Sequence, residues 1–548
     1  MRRYQFGLRV TTWILIAGLV CLICALCVLC SPPPISRDAL TQHLAIPKLY
    51  INHGGIYEIP FMVFSYYPMN LDLLYMIPLY FGNDVIPKFI HFSFALLTAL
   101  LMFFYLRHRT NHIYALFGIF FFLSLPIIIK LSITVYVDLG LVFFSTASLL
   151  LIIRWLDTGF PIRLLILSAI CCGLAMGTKY NGTIVFLILS LFVPFLHAKY
   201  GPTDKVSVLN TLGQGMIFAL VAILFFSPWM IRNYLWTQNP LYPFYNQWFN
   251  NQTAFSHYPG VLVYRSLAYH EQWWEIALLP IRVFFQGQDN NPQYFDGRLN
   301  PLLLFLPFFA FYPAGTHKLP HRREKMILLV FAALYFAFAF FTANMRIRYI
   351  LPIIPPLILL SVVGLRNLLS GFSGIVEFWM RWGMRIGTFG IVSICLLLNL
   401  QYVITQFRII EPFSYLEGSI DRAEYISKHI PEYPVVQYIN KNLPSDSLLL
   451  FLFMGQRGYY YDREYILDMK RNESLLQETA EKAIKVEDIL RRFLDLKITH
   501  IVMHERLFVQ WVNTSFSPNA RMLMHQFMNR NLYMLYSRNG YRLYVVKQ

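Results

Sequence analysis

The sequence predicts an α-helical polytopic membrane protein, with about 11 transmembrane helices and a small C-terminal α/β domain outside the membrane. Three observations predict it. Of 548 residues, 57% are hydrophobic and only 14% charged, with a mean hydropathy of +0.48; a soluble chain carries about 25% charged residues. Apolar runs of near-spanning length recur through the first four hundred residues. Beyond residue 405 the composition changes, to 16 acidic and 19 basic residues with strand-like and amphipathic helical stretches.

The expected spans are 11–30, 85–106, 113–130, 138–154, 163–178, 181–198, 211–230, 301–314, 326–343, 349–365 and 386–404. The first is as long as a full span and lacks a small-residue cleavage site, so it reads as a signal anchor. With the N-terminus in the cytoplasm, the inside segments are 1–10, 105–112, 154–163, 197–210, 315–325 and 366–385. They hold 16 basic residues and 4 acidic ones, against 11 and 9 in the rest of the membrane part. That bias places the C-terminal segment outside. It also accounts for most of the formal charge of +17, so the charge does not call for nucleic acid as a partner. All seven cysteines fall in expected spans. The C-x-x-C repeat of Cys21, Cys24, Cys27 and Cys30 sweeps round a helix and cannot converge on one tetrahedral ion.

The chain thus divides into a membrane domain, 1–405, and an extracytoplasmic domain, 406–548. Two outer loops stand out in the first. Residues 31–84 contain amphipathic stretches at 37–52 and 68–82, and 231–300 is rich in Trp, Tyr, Asn and Pro, as at a lipid–water interface. In the outer domain, 448–455, 498–504 and YRLYVV near the end read as strands, with a helix at 486–496 between the first two.

Charged groups near a bilayer are costly, so those on the outer side are the functional candidates. Asp38 follows the first span and Asp138 opens the fourth, at the same face. Together they can bind a divalent cation, or one can deprotonate an acceptor. Each also has a plainer role at a helix N-terminus. On a helix over 38–52, Asp38 and Gln42 share a face, with His43 slightly displaced. The complementary outer cations are Lys130, Lys179, Arg232, Arg346 and Arg348, which suit a phosphate at headgroup depth or snorkel to lipid. No Walker A motif and no strand–GxGxxG–helix unit occurs, so the activated substrate is not expected to be a cytosolic nucleotide.

The long first outer loop with its early Asp, the Asp opening a later span, the GTKYNG turn, PWMIRNYLWTQNPLYPF and RIRYILPIIPP resemble the GT-C glycosyltransferases over residues 1–405. The nearest groups are the protein O-mannosyltransferases and the lipid A aminoarabinose transferase. The resemblance implies an enzyme of the plasma membrane, the inner membrane in a bacterium. It implies transfer of a sugar from a polyprenyl phosphate to a glycan, lipid or protein acceptor, with inversion. Asp38 then matches the first-loop acid, as base or cation ligand, and Asp138 assists it. Lys179, Arg346 and Arg348 are candidates for the carrier phosphate, and His43 and Arg232 for substrate binding. The Asp-Glu pair of the O-mannosyltransferases is absent, since Arg37 and Ala39 flank Asp38. A polysaccharide ligase or polymerase, and a flippase for lipid-linked substrates, are the competing expectations.

Overall fold

A computed structural model describes residues 2–202, 206–250, 260–312, 321–341, 345–470 and 473–547. Among them, seven helices are long and apolar enough to cross a membrane: Arg9–Cys30, Ile86–Arg109, Asp138–Asp157, Gly182–Tyr200, Val208–Thr237, Leu351–Gly374 and Phe378–Ile410. Asp138–Asp157 and Leu351–Gly374 are largely enclosed by their neighbours. Val208–Thr237 and Phe378–Ile410 leave most of their apolar surface uncovered, as a lipid-facing helix does.

Four expected spans take other forms. The run 113–130 is a bent pair, His112–Ser124 and Pro126–Ser132, turned by 65°. Pro126 starts the second piece, where its missing N–H costs nothing, while Leu125 before it is extended. In place of 301–314 there is only Leu302–Phe309, about 12 Å long at 1.5 Å per residue, far short of a bilayer core. Ile162–Thr178 is slightly short, and Arg322–Phe340 begins on four charged residues. The count of eleven spans is therefore not reached by length and apolarity alone. Lys205 and Lys318 of the inside set, and residues 313 and 314, lie outside the described residues.

The connections assigned to the inside meet one another. Arg109 bonds Asp157 at 2.6 Å and Glu324 at 2.8 Å, Arg366 donates to the Arg109 carbonyl at 2.9 Å, and the Arg323 guanidinium lies 4.6 Å from the Tyr200 ring. Thr12, at the start of the first span, joins His112 at 3.1 Å, so segments from five of the six connections gather at the end of the bundle where that span begins. Glu324 is almost wholly buried there and is satisfied by Arg109, Tyr105 and His321.

The C-terminal domain sits at the other end. Its five-stranded sheet runs in the order Glu464–Leu467, Leu448–Leu452, His500–His504, Tyr541–Val546, Leu532–Arg538. The first three strands are parallel, and the last two form an antiparallel hairpin on their edge. Val486–Asp495 is the expected helix, burying Val486, Ile489 and Phe493. The domain holds the first outer loop through several bonds. Lys48 Nζ reaches Asp462 at 2.8 Å and the Tyr461 carbonyl at 2.9 Å, and Arg422 bonds Asp84 at 2.5 Å. Tyr460 donates to the Pro34 carbonyl at 2.7 Å. If the basic end is cytoplasmic, an impermeant maleimide labels an Asn539→Cys variant in intact cells, and labels Thr158→Cys and Ser373→Cys only after permeabilisation; the reverse pattern inverts the topology.

Candidate functional site

Two adjoining cavities open at the end of the bundle beneath the C-terminal domain. The smaller, about 290 Å³, is lined by aromatic side chains together with His43, Asp72, Asp138 and Lys179. The larger, about 940 Å³, is lined by Asp38, Lys130, Asp296 and Arg346, with Gln456 and Arg457 from the C-terminal domain. Gln42, Phe64, Arg348 and Tyr349 line both and form the wall between them.

The first loop enters this site through a π-helical turn, Ala39–His43, closed by the Leu44 amide on the Ala39 carbonyl at 2.9 Å. The wider turn departs from the regular helix expected over 38–52. At this turn Gln42 lines both cavities, Asp38 only the larger, and the buried His43 only the smaller. His43 Nδ1 bonds the buried Asp72 carboxylate at 2.7 Å, leaving its other nitrogen beside Gln42. Asp72 belongs to the helix Asn70–Tyr80, which packs tightly on Ile162–Thr178. A Cβ on Gly177 would lie 2.3 Å from Asn70 Nδ2, so a larger residue there would displace the Asn70 amide. Asn70 in turn accepts from the Trp229 indole at 2.9 Å.

Asp138 and Lys179 occupy helix ends of opposite polarity. Asp138 begins Asp138–Asp157, where the dipole favours a carboxylate, and Lys179 follows the end of Ile162–Thr178, where it favours a cation. They pair at 2.7 Å, with the Asp138 side chain only 2% exposed. His91 fixes the entry to the Asp138 helix. Its Nδ1 donates to the Leu131 and Thr134 carbonyls, and its Nε2 accepts the Leu139 amide at 3.0 Å, which requires the neutral ring.

Arg348 stands in the shared wall, on a short 3₁₀ turn just before the Leu351–Gly374 span. Its Nη1 is ion-paired with Asp38 Oδ2, and its guanidinium lies over the Tyr136 and Tyr349 rings at 5.6 and 5.5 Å. Burial works against its charge, and Asp38 and Asp138 together outweigh that effect. Burial likewise pushes the Asp38 carboxyl up, but the Arg348 guanidinium more than reverses this and holds it below the usual carboxylate range. An unfolded Asp titrates near 3.9, so the pair stabilises the fold at neutral pH and loses that contribution as pH falls below about 4. Lys130 and Arg346 are gathered by Asp296, at 2.9 and 3.4 Å. Arg232 lines neither cavity. It stacks on Trp229 and Trp236 and donates to the Tyr67 carbonyl at 3.1 Å, supporting the wall of the smaller one.

The structure therefore brings Asp38, His43, Asp138, Lys179, Arg346 and Arg348 onto two contiguous cavities. Sequence reasoning overlooked Asp72, His91, Asp296 and Gln456, whose partners lie 29 to 166 residues away or in another domain. As for a divalent ion, Asp38 and Asp138 are each bonded to a basic side chain. No group of three or more His, Cys, Asp or Glu with metal-binding geometry occurs among the described residues.

Residues 61–238, a stretch containing Asp72, Asp138, Lys179 and Arg232, match the family model for dolichyl-phosphate-mannose-protein mannosyltransferase. ArnT from Cupriavidus metallidurans in the apo state superposes with a TM-score of 0.58 at 14% identity, covering 98% of both chains. The same protein bound to undecaprenyl phosphate gives 0.56 at 13% identity, again over 98% of both. The apo oligosaccharyltransferase of Archaeoglobus fulgidus gives 0.50 at 13%, over 97% of this chain and 74% of that one. No curated protein matches the chain by sequence. The class is thereby defined as a multi-pass membrane protein of the GT-C glycosyltransferase fold, carrying a small C-terminal sheet domain. Within it, residues 61–238 are similar to the dolichyl-phosphate-mannose-protein mannosyltransferase family, and the chain as a whole shares the ArnT fold.

Asp138→Asn leaves the Lys179 ammonium uncompensated and is expected to cost about 3 kcal/mol. Thermal unfolding of the purified protein should show a lowered midpoint, largely restored in the double variant Asp138→Asn, Lys179→Met. An unchanged midpoint in the single variant would show that the pair carries no structural weight.

Proposed function

We propose that this chain transfers a sugar from a polyprenyl-phosphate donor to a hydroxyl-bearing acceptor at the extracytoplasmic membrane face, with inversion at the anomeric carbon. The observation that carries the proposal is the position of Arg348, between two cavities and under the pull of two carboxylates. A guanidinium fork matches phosphate oxygens as well as it matches a carboxylate. The carrier phosphate, arriving from the lipid, takes Arg348 from Asp38, with Lys179 and Arg346 adding positive charge. A polyprenyl carrier is supported by the similarity to ArnT, which was solved with undecaprenyl phosphate.

That exchange prepares the base. Once the phosphate holds Arg348, Asp38 loses the partner that keeps its carboxyl low, and it becomes a better proton acceptor. The acceptor hydroxyl then attacks the anomeric carbon from the face opposite the phosphate, and its proton passes to Asp38. The bond from that carbon to the phosphate oxygen breaks, and its electron pair leaves on the phosphate, where Arg348 and Lys179 stabilise it. Asp138 keeps Lys179 in place. His43, oriented by Asp72, is assigned to the donor sugar, and Arg232 supports the wall behind it. The cation between the two carboxylates is Arg348, in the role otherwise assigned to a divalent ion.

Cells lacking the chain are expected to accumulate one polyprenyl-phosphate sugar, detected by mass analysis of glycolipids. The wild-type gene clears it. Asp38→Asn, produced and inserted normally, slows clearance by at least about 100-fold yet still binds undecaprenyl phosphate. Arg348→Ala weakens that binding about tenfold or more, the loss of at least about 1.4 kcal/mol. Full clearance by Asp38→Asn would remove Asp38 from the mechanism, and accumulation of a lipid-linked polymer would indicate a ligase instead.

A further inference from the structure

A third hollow, about 510 Å³, lies within the C-terminal domain and is absent from the mechanism above. It opens where the parallel strands Leu448–Leu452 and Glu464–Leu467 end, the edge at which open α/β sheets bind ligands. Arg37 and Gln456 line this cleft and the larger membrane cavity alike, so the two hollows share a wall. Arg37 is the residue immediately before Asp38.

The loop leaving Leu448–Leu452 is costly to build. Phe453, Gly455 and Gln456 all have φ near +60°, a region that a bulky aromatic rarely adopts. The strain holds Phe453 41% exposed, where it meets Trp511 edge-on with ring centroids 5.4 Å apart. Trp511 comes from the helix Glu505–Ser515 on the far side of the cleft. Asp468 lines the same cleft. It accepts from Ser474 Oγ at 2.5 Å and from the Leu476 amide at 2.9 Å, and a carboxylate has further lone pairs to offer. Burial pushes its carboxyl up to about 6, against the effect of both bonds. The far end of the loop is tied to the catalytic segment, with the Tyr459 amide on the Leu40 carbonyl at 3.2 Å.

An exposed Phe453 and a half-buried Trp511 that line one cleft with a carboxylate and an amide suit a pyranose ring. Its C–H face packs on aromatic surface while its equatorial hydroxyls bond to planar polar side chains. We propose that this cleft, floored by Phe453 and Trp511 and edged by Asp468 and Gln456, binds a saccharide portion of the acceptor and directs its hydroxyl past Arg37 to Asp38. The proposal rests on the transferase reading for its direction of transfer, but the binding itself does not. A lipid acceptor with a glycosylated headgroup and a free glycan both present this chemistry. A peptide acceptor does not.

The test uses the full chain in lipid nanodiscs against arrays of immobilised glycans and of peptides, with undecaprenyl phosphate binding measured in parallel. The wild type is expected to retain at least one saccharide class. Trp511→Ala, and Phe453→Asn, which keeps a residue tolerant of positive φ, should each weaken that retention at least tenfold. Undecaprenyl phosphate binding and the melting midpoint should stay unchanged in Phe453→Asn. Asp38→Asn should retain the saccharide fully. No saccharide binding by the wild type, binding only to peptides, or binding indifferent to both aromatic variants would overturn the inference. Loss of undecaprenyl phosphate binding by the wild type, with saccharide retained, would instead count against the donor assignment alone.

Discussion

Arg348 is the group on which the site depends. It is held in a wall only a side chain thick, between a cavity bearing Asp138 and Lys179 and another bearing Asp38, Lys130 and Arg346. Two enclosed carboxylates at one end of a helical bundle would repel each other and face a desolvation cost of several kcal/mol each. The Arg348 guanidinium offsets Asp38 directly and assists Lys179 in offsetting Asp138, and the tyrosine rings beside it confine it further. The remaining features keep that arrangement in register. His91 sets where the Asp138 helix begins, Gly177 lets the Asp72 helix come close, and the Leu351–Gly374 span starts three residues beyond Arg348.

The two ends of the bundle use charge in different ways. At the end assigned to the cytoplasm, Glu324 gathers Arg109, Tyr105 and His321 into a closed network that ties the connections together. At the opposite end the pairs border open volume, so their cations can exchange a carboxylate for a bound anion. The C-terminal domain contributes directly, because Gln456 and Arg457 line the larger cavity and the Lys48 and Tyr460 bonds lock the first loop beneath it. That docking makes the C-terminal domain a wall of the site.

Much of this was legible in the sequence because bilayers impose simple rules. Composition gave the membrane class, loop charges grouped the connections that later meet at one end, and the scarcity of outer charges singled out Asp38, Asp138, Lys179 and Arg348. The shorter helices depart from simple spans because hydropathy does not register a break such as Leu125–Pro126, or the short extent of a helix such as Leu302–Phe309. Periodicity does not register the π-helical turn at Ala39–His43, where Asp38 and Gln42 line the larger cavity and His43 only the smaller one. Asp72, Asp296 and the Phe453–Trp511 cleft were hidden because their meaning lies in partners brought together only by the fold. Arg232 lines neither cavity and stacks on two tryptophans, a placement that charge alone cannot reveal.

The central claim is that the carrier phosphate takes Arg348 from Asp38 and so turns a suppressed carboxylate into a base. Isotope-edited infrared titration of the carboxyl in nanodiscs tests it directly, with Asp38 identified by subtracting the spectrum of Asp38→Asn. Without lipid phosphate, Asp38 should remain ionised to below the ordinary carboxylate range, as its pairing with Arg348 requires. With undecaprenyl phosphate bound, its titration should move upward, and no such movement should occur in Arg348→Ala. A titration unchanged by undecaprenyl phosphate, at saturation, would contradict the account.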